Sequence, residues 1–135
     1  MIETGANINL TIIVKQRIIA NEISKMELVG NVSGYDCIII DDMIDTAGTL
    51  CMAADMLKQN GARKVYAFAT HGVFSGKAIE NINKSQLDAV YVTNTVPIPK
   101  SKESPKIKQI SVGILIAEAI RRMENKESLS EIFKH

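Results

Sequence analysis

The run Cys37-Ile38-Ile39-Ile40-Asp41-Asp42-Met43-Ile44-Asp45-Thr46-Ala47-Gly48-Thr49 joins an apolar segment to two acids, a short loop and the start of a helical pattern. Residues 36–40 (DCIII) read as a strand buried on both faces, as in the middle of a parallel sheet. Leu50, Ala53, Ala54 and Leu57 then recur at i, i+3, i+4 and i+7, one stripe of an amphipathic helix beginning at about Thr49. Gly61 after Asn60 supplies the left-handed residue that ends it. In open α/β sheets ligands bind beyond the carboxyl ends of the strands, so the intervening loop lies where a site is expected. The first amides of a helix lack internal acceptors and carry partial positive charge, which suits a phosphate. Gly48 lets the backbone come close, Thr46 and Thr49 add hydroxyl donors, and Ala47 keeps the cradle small. Asp41 and Asp42 repel a phosphate, and suit sugar hydroxyls or a metal ion instead. A plainer account uses the same residues: Asp45 and Thr46 cap the helix, and the two acids are solvated at a strand end. Neither the Gly-rich loop with Lys of P-loop proteins nor the dinucleotide Gly fingerprint is present.

Outward from this run, short β-rich stretches alternate with helical ones. Residues 10–14 (LTIIV), 24–29, 65–70, 87–93 and 107–111 read as strands, and residues 75–83 and 114–123 as helices. In the last helix Leu115, Ala119 and Met123 recur on one side. Residues 96–106 hold all three prolines and form a loop. The alternation predicts an α/β fold, a largely parallel sheet flanked by helices. With no linker or repeat, residues 1–135 read as one domain, long enough for its own core. A hydrophobic content of 46% with 23% charged residues is that of an ordinary globular protein. The net charge of +1 gives no reason to expect nucleic acid or an anionic membrane as partner. No apolar run approaches the roughly 20 residues that span a bilayer. Residues 1–10 lack a basic region followed by an apolar stretch, so no secretory signal is expected. A cytoplasmic location follows, with Cys37 and Cys51 as buried, reduced thiols.

Two acids, two apolar residues, then Asp-Thr-Ala-Gly-Thr after an apolar strand resemble the phosphoribosyl-binding signature of type I phosphoribosyltransferase-like folds. The form DDMIDTAGTL is similar to ribose-phosphate pyrophosphokinases (phosphoribosyl pyrophosphate synthetases) in particular. Residues 69–78 (ATHGVFSGKA) resemble that family's Thr-His…Phe-Ser-Gly segment. Ser111-Val112-Gly113 with Ala117-Glu118-Ala119-Ile120-Arg121-Arg122 resembles its final helix, and residues 128–133 (SLSEIF) its C-terminal tail. The likeness runs from about Ile12 to Phe133.

The resemblance implies roles residue by residue. Asp41 and Asp42 hold the ribose 2- and 3-hydroxyls, and Asp45, Thr46, Ala47, Gly48 and Thr49 the 5-phosphate of ribose 5-phosphate. Lys15-Gln16-Arg17 aligns with the start of the family's catalytic loop, usually Lys-Arg-Arg followed by Pro. Lys15 and Arg17 match its two catalytic cations, while Gln16 and Ile18 depart from the pattern. Read as residues alone, the two cations are solvated groups at a strand end. His71, Phe74 and Ser75 match nucleotide or effector contacts, with a structural histidine as the alternative for His71. Ser128, Ser130 and Phe133 match an inter-subunit regulatory site, with an apolar tail anchor as the alternative for Phe133.

The activity implied is ribose-phosphate diphosphokinase: transfer of a pyrophosphoryl group from Mg·ATP to the 1-hydroxyl of ribose 5-phosphate. Mg2+ and ATP are the implied cofactor and co-substrate, ADP and phosphate the implied effectors, and a homo-oligomer the implied assembly. The chain matches the C-terminal half of the family and is in that sense N-terminally truncated. The family's Asp-Leu-His metal motif and its Gly-Gly pyrophosphate loop have no counterpart here, and no metal site is assigned to this chain. Weak activity or none is therefore expected of the chain alone. A non-catalytic regulatory or binding subunit of a pyrophosphokinase complex is the alternative. A phosphoribosyltransferase is the third reading, disfavoured by residues 71–78 and the tail.

Overall fold

The computed structural model describes residues 8–16 and 25–134. β1 (Ile12–Gln16) and β2 (Lys25–Val29) form an antiparallel pair, Ile13 facing Leu28 and Lys15 facing Met26. β3 (Asp36–Ile44), β4 (Lys64–Gly72), β5 (Ala89–Thr93) and β6 (Ile107–Ile110) form a separate parallel sheet in that order. Two helices serve as crossovers: α1 (Gly48–Gln59) joins β3 to β4, and α2 (Ala78–Lys84) joins β4 to β5. A parallel connection needs such a crossover, and the helical stripe after the quoted run supplies the first one. The expected α/β architecture with a parallel sheet is what forms.

One face of the sheet is closed by these helices. Leu50, Ala54 and Leu57 of α1 and Ala78 and Ile82 of α2 bury themselves on Val65, Ala67 and Ala69 of β4 and on Val90 and Val92 of β5. Ile13 and Leu28 of the antiparallel pair pack against this same core. Alanines at 67 and 69 let the helices sit close to the sheet. The other face carries Tyr66, Phe68 and Tyr91, with the Phe68 and Tyr91 rings stacked at 4.6 Å. Ile38 and Ile40 are 60% and 81% exposed. The expectation that residues 36–40 are buried on both faces is thus corrected. α1 and α2 pack on the Cys37 and Ile39 side of β3, and Ile38 and Ile40 lie on the opposite, exposed face.

Boundaries differ from the sequence reading in instructive places. β3 continues through Asp41, Asp42 and Met43 to Ile44, because Met43 and Ile44 pair with His71 and Gly72. The helix expected over residues 75–83 begins only at Ala78, since Phe74 (φ 50°) and Gly76 (φ 54°) are left-handed and cannot lie inside a helix. Gly61 ends α1 as read, at φ 89° and with its N–H on the Lys58 carbonyl. Both cysteines are free but half-buried rather than buried, and desolvation pushes each thiol above its ordinary pKa. Among the described residues no helix is long and apolar enough to cross a membrane.

These elements belong to one compact unit, Leu10–Ile110; the described residues Ile8, Asn9 and those from Ser111 onward form another. There α3 (Gly113–Glu124) is followed by a 3-10 turn, Leu129–Phe133. No residue of α3 is buried. Glu118 accepts hydrogen bonds from both Arg121 and Arg122, and Arg121 also reaches Glu127. Hydrogen bonds first from Arg121 and then from Arg122 hold the Glu118 carboxyl down at about 2, against an ordinary 4.5. Because the folded value is depressed, this group's contribution is complete above about pH 4.5 and is lost as pH falls through about 2. An NMR titration of the Glu118 carboxyl carbon is expected to show a midpoint near 2. A midpoint in the ordinary glutamate range would mean the arginines do not hold it in solution.

Candidate functional site

The core positions one loop with unusual care. β3 delivers Ile44, 3% exposed, to the lip of the core, and its carbonyl accepts the N–H groups of Val73 (3.0 Å) and Phe74 (3.1 Å). The chain then passes through Asp45 and Thr46 to Ala47, which sits at φ 60°, ψ 6° immediately before α1. A left-handed alanine is uncommon, and it turns successive amides to one side in the manner of an anion-binding nest. Ala47 is 6% exposed, so the bend is fixed by packing. Its methyl side chain cannot cap the helix. Among the described residues no hydrogen bond takes up the amides of Thr46, Ala47 or Gly48. A Cβ built on Gly48 would meet nothing within 4 Å, so the space over that amide is open.

The capping account of Asp45 and Thr46 is not what forms. The Asp45 carboxylate accepts the Ser75 hydroxyl, and the Thr46 carbonyl accepts Asn81 Nδ2 at 3.1 Å. Asp41 and Asp42 are exposed, within β3 rather than past its end. Asp42 N–H donates to Asp41 Oδ1 (2.9 Å) and Met43 N–H to Asp42 Oδ1 (2.7 Å), so each carboxylate is steadied by the next amide. Each keeps acceptor capacity for a hydroxyl.

The remaining site residues fall differently. Lys15 lies near the end of β1, and Arg17 lies outside the described residues. His71 Nδ1 bonds Thr95 Oγ1 at 2.8 Å. Thr95 in turn bonds Thr93 and the Thr70 carbonyl, so His71 is tied to β5 and the turn after it through Nδ1. Phe74, matched by resemblance to a nucleotide or effector contact, has its side chain 1% exposed and within the core. Ser75 is committed to Asp45. In the second unit Ser128 and Ser130 bond each other at 2.8 Å, and Phe133 is 75% exposed, not a buried anchor. A cavity of about 550 Å³ lies elsewhere, lined by Ile98, Ser104, Ile107 and Gln109 among others and by none of residues 41–49. It is a hollow under the proline loop and has no link to the chemistry described here. Among the described residues no group of three or more His, Cys, Asp or Glu stands ready to hold a metal.

Sequence reasoning missed Asn81, Thr93 and Thr95. Asn81 left one faint sign, an amide residue inside a short helix where straight-chain residues are preferred. The two threonines left none.

A parallel α/β sheet whose acid-bearing strand runs through a left-handed bend into an uncapped helix makes this a type I phosphoribosyltransferase-like domain. The family described as Phosphoribosyl synthetase-associated domain matches residues 5–134, and the chain belongs to that family. It is 53% identical over 128 residues to a ribose-phosphate pyrophosphokinase of Shewanella oneidensis, covering 94% of this chain and 41% of the relative. It is 52% identical over 130 residues to ribose-phosphate pyrophosphokinase 3 of Saccharomyces cerevisiae, covering 96% of this chain and 41% of that protein. The crystal structure of phosphoribosylpyrophosphate synthetase from Mycobacterium smegmatis superposes with a TM-score of 0.73 at 39% identity, over 76% of this chain and 34% of that one. The chain therefore spans about 41% of the length of the curated relatives it matches.

Proposed function

We propose that the loop from Asp45 to Thr49 binds the 5-phosphate of ribose 5-phosphate, as the sugar-phosphate half of a ribose-phosphate pyrophosphokinase site. The observation that carries this is the set of uncommitted amides at Thr46, Ala47 and Gly48, beside the open space over Gly48. Oriented amides at a helix start stabilise an oxyanion without reorganising, which is what a phosphate requires. Asp41 and Asp42 accept the ribose hydroxyls, and their negative charge turns the phosphate end of the sugar toward the amides. The reading gives Lys15 and Arg17 the neutralisation of charge that builds on the reacting phosphoryl groups. Mg2+ with ATP supplies the transferable, charge-shielded pyrophosphoryl group. The described residues do not form a metal set, so no step on this chain is routed through the ion. ATP binding and the metal contacts are assigned to the part of the relatives outside the match. A cytoplasmic homo-oligomer responding to ADP or phosphate is the setting this reading implies.

Calorimetry of the 135-residue chain with ribose 5-phosphate tests the reading, with Gly48→Ala as the informative variant. The added methyl occupies space that is empty in the fold, so thermal stability is expected to hold or rise slightly. Affinity is expected to fall roughly 10- to 100-fold, the scale of one or two charge-assisted hydrogen bonds. A variant binding as tightly as the parent would remove the phosphate from this loop. A coupled ATP-to-AMP assay, with the rest of a relative supplied, then separates a catalytic part from a binding subunit.

A further inference from the structure

The last residue of β3 and the first two of the loop are held by one distant segment. Val73 and Phe74 donate their amides to the Ile44 carbonyl, Ser75 donates its hydroxyl to the Asp45 carboxylate, and Asn81 donates to the Thr46 carbonyl. The segment is itself pinned by Phe74 and Ala78, 1% and 0% exposed. Asp45 is the anomaly in a phosphate cradle. It puts a carboxylate beside the amides meant for an anion, where two negative charges would repel.

We infer that Ser75 is a positioning residue for phosphate recognition: its hydroxyl holds the Asp45 carboxylate aside, so that the loop presents amides and not a negative charge. This rests on the ribose 5-phosphate reading given above. A free carboxylate at Asp45 has two other outlets. It can swing into the cradle and repel the phosphate, or it can cap the start of α1 and occupy the amides as a competing anion. Both outlets compete with substrate, and the Ser75 hydroxyl closes both. Asn81 plays the companion part on the backbone, fixing the Thr46 carbonyl so that the following amides point the other way.

The mechanism predicts a pattern that loss of folding cannot imitate. In calorimetry of the whole chain with ribose 5-phosphate, Ser75→Ala is expected to bind about tenfold more weakly, the scale of one hydrogen bond to a charged group. Ser75→Thr keeps the hydroxyl and is expected to bind like the parent. The decisive variant is the pair Ser75→Ala with Asp45→Asn. Removing the charge that has been set loose is expected to restore most of the lost affinity. Undiminished binding by Ser75→Ala, or failure of the pair to recover it, overturns the positioning role while leaving the phosphate site standing. A parent chain that takes up no ribose 5-phosphate overturns the site reading, and this inference with it.

Discussion

Replacing Phe74 with alanine is expected to lower the unfolding free energy by about 3–5 kcal/mol, read as a shifted urea midpoint at unchanged slope. The residue is 1% exposed and, among the described residues, is the bulkiest of the fully buried side chains. Its ring lies directly over Gly72, where an added Cβ would stand 2.5 Å from Phe74 Cε2 and 3.0 Å from Val92 Cγ2. The glycine and the ring are thus two halves of one packing decision: the strand gives up a side chain so that the aromatic can fold back onto it. Alanine leaves a cavity where the ring was, and a close-packed core relaxes only partly to fill it. The backbone at Phe74 is left-handed, costly for any residue but glycine, and alanine inherits that cost in full. The substitution therefore loses burial and relieves nothing. Typical domains have only about 5–15 kcal/mol to lose, so this one change removes a large share. A shift below about 1 kcal/mol would show that the ring is not seated in the core.

The same residue shows where sequence reading fell short. The burial of Phe74 is not legible in the sequence, because it depends on a left-handed turn that no periodicity announces. The helix expected from Ser75 failed for the same cause, since Phe74 and Gly76 break the pattern before Ala78. By contrast the stripe of Leu50, Ala53, Ala54 and Leu57 was legible at once, and all four are buried. Helical periodicity reports one face of one element, and here that face meets the sheet. The exposure of Ile38 and Ile40 was not legible, because a continuous apolar strand looks alike whether one face or both are covered. Within the candidate site the loop could be placed, because a strand followed by Gly and a helix start is a local signal. The bonds from Ser75 and Asn81 could not, because their partners are 30 and 35 residues away.

Lys15→Ala is expected to slow turnover roughly 10²-fold or more in a hybrid that carries this chain in place of the matching segment of the Shewanella oneidensis relative. On the proposed reading the lysine meets charge that develops on phosphoryl oxygens during transfer, and it makes little contact with ribose 5-phosphate at rest. An interaction present only in the transition state lowers kcat and leaves the KM for the sugar phosphate nearly unchanged. The backbone supports such a division of labour. Lys15 sits near the end of β1, paired with Met26, in an antiparallel pair separate from the sheet whose β3 leads into residues 45–49. The two proposed sites of action therefore lie on different elements, and their substitutions are expected to separate in kinetics. Gly48→Ala, which narrows the cradle, is expected to raise KM first; Lys15→Ala is expected to leave it alone. Steady-state assays of ATP conversion to AMP over a range of ribose 5-phosphate concentrations distinguish the two. If Lys15→Ala raised KM with kcat intact, the lysine would be a ground-state binding group. If it changed neither, β1 would contribute only Ile13 and its packing to the enzyme, and the cation needed for transfer would have to come from elsewhere.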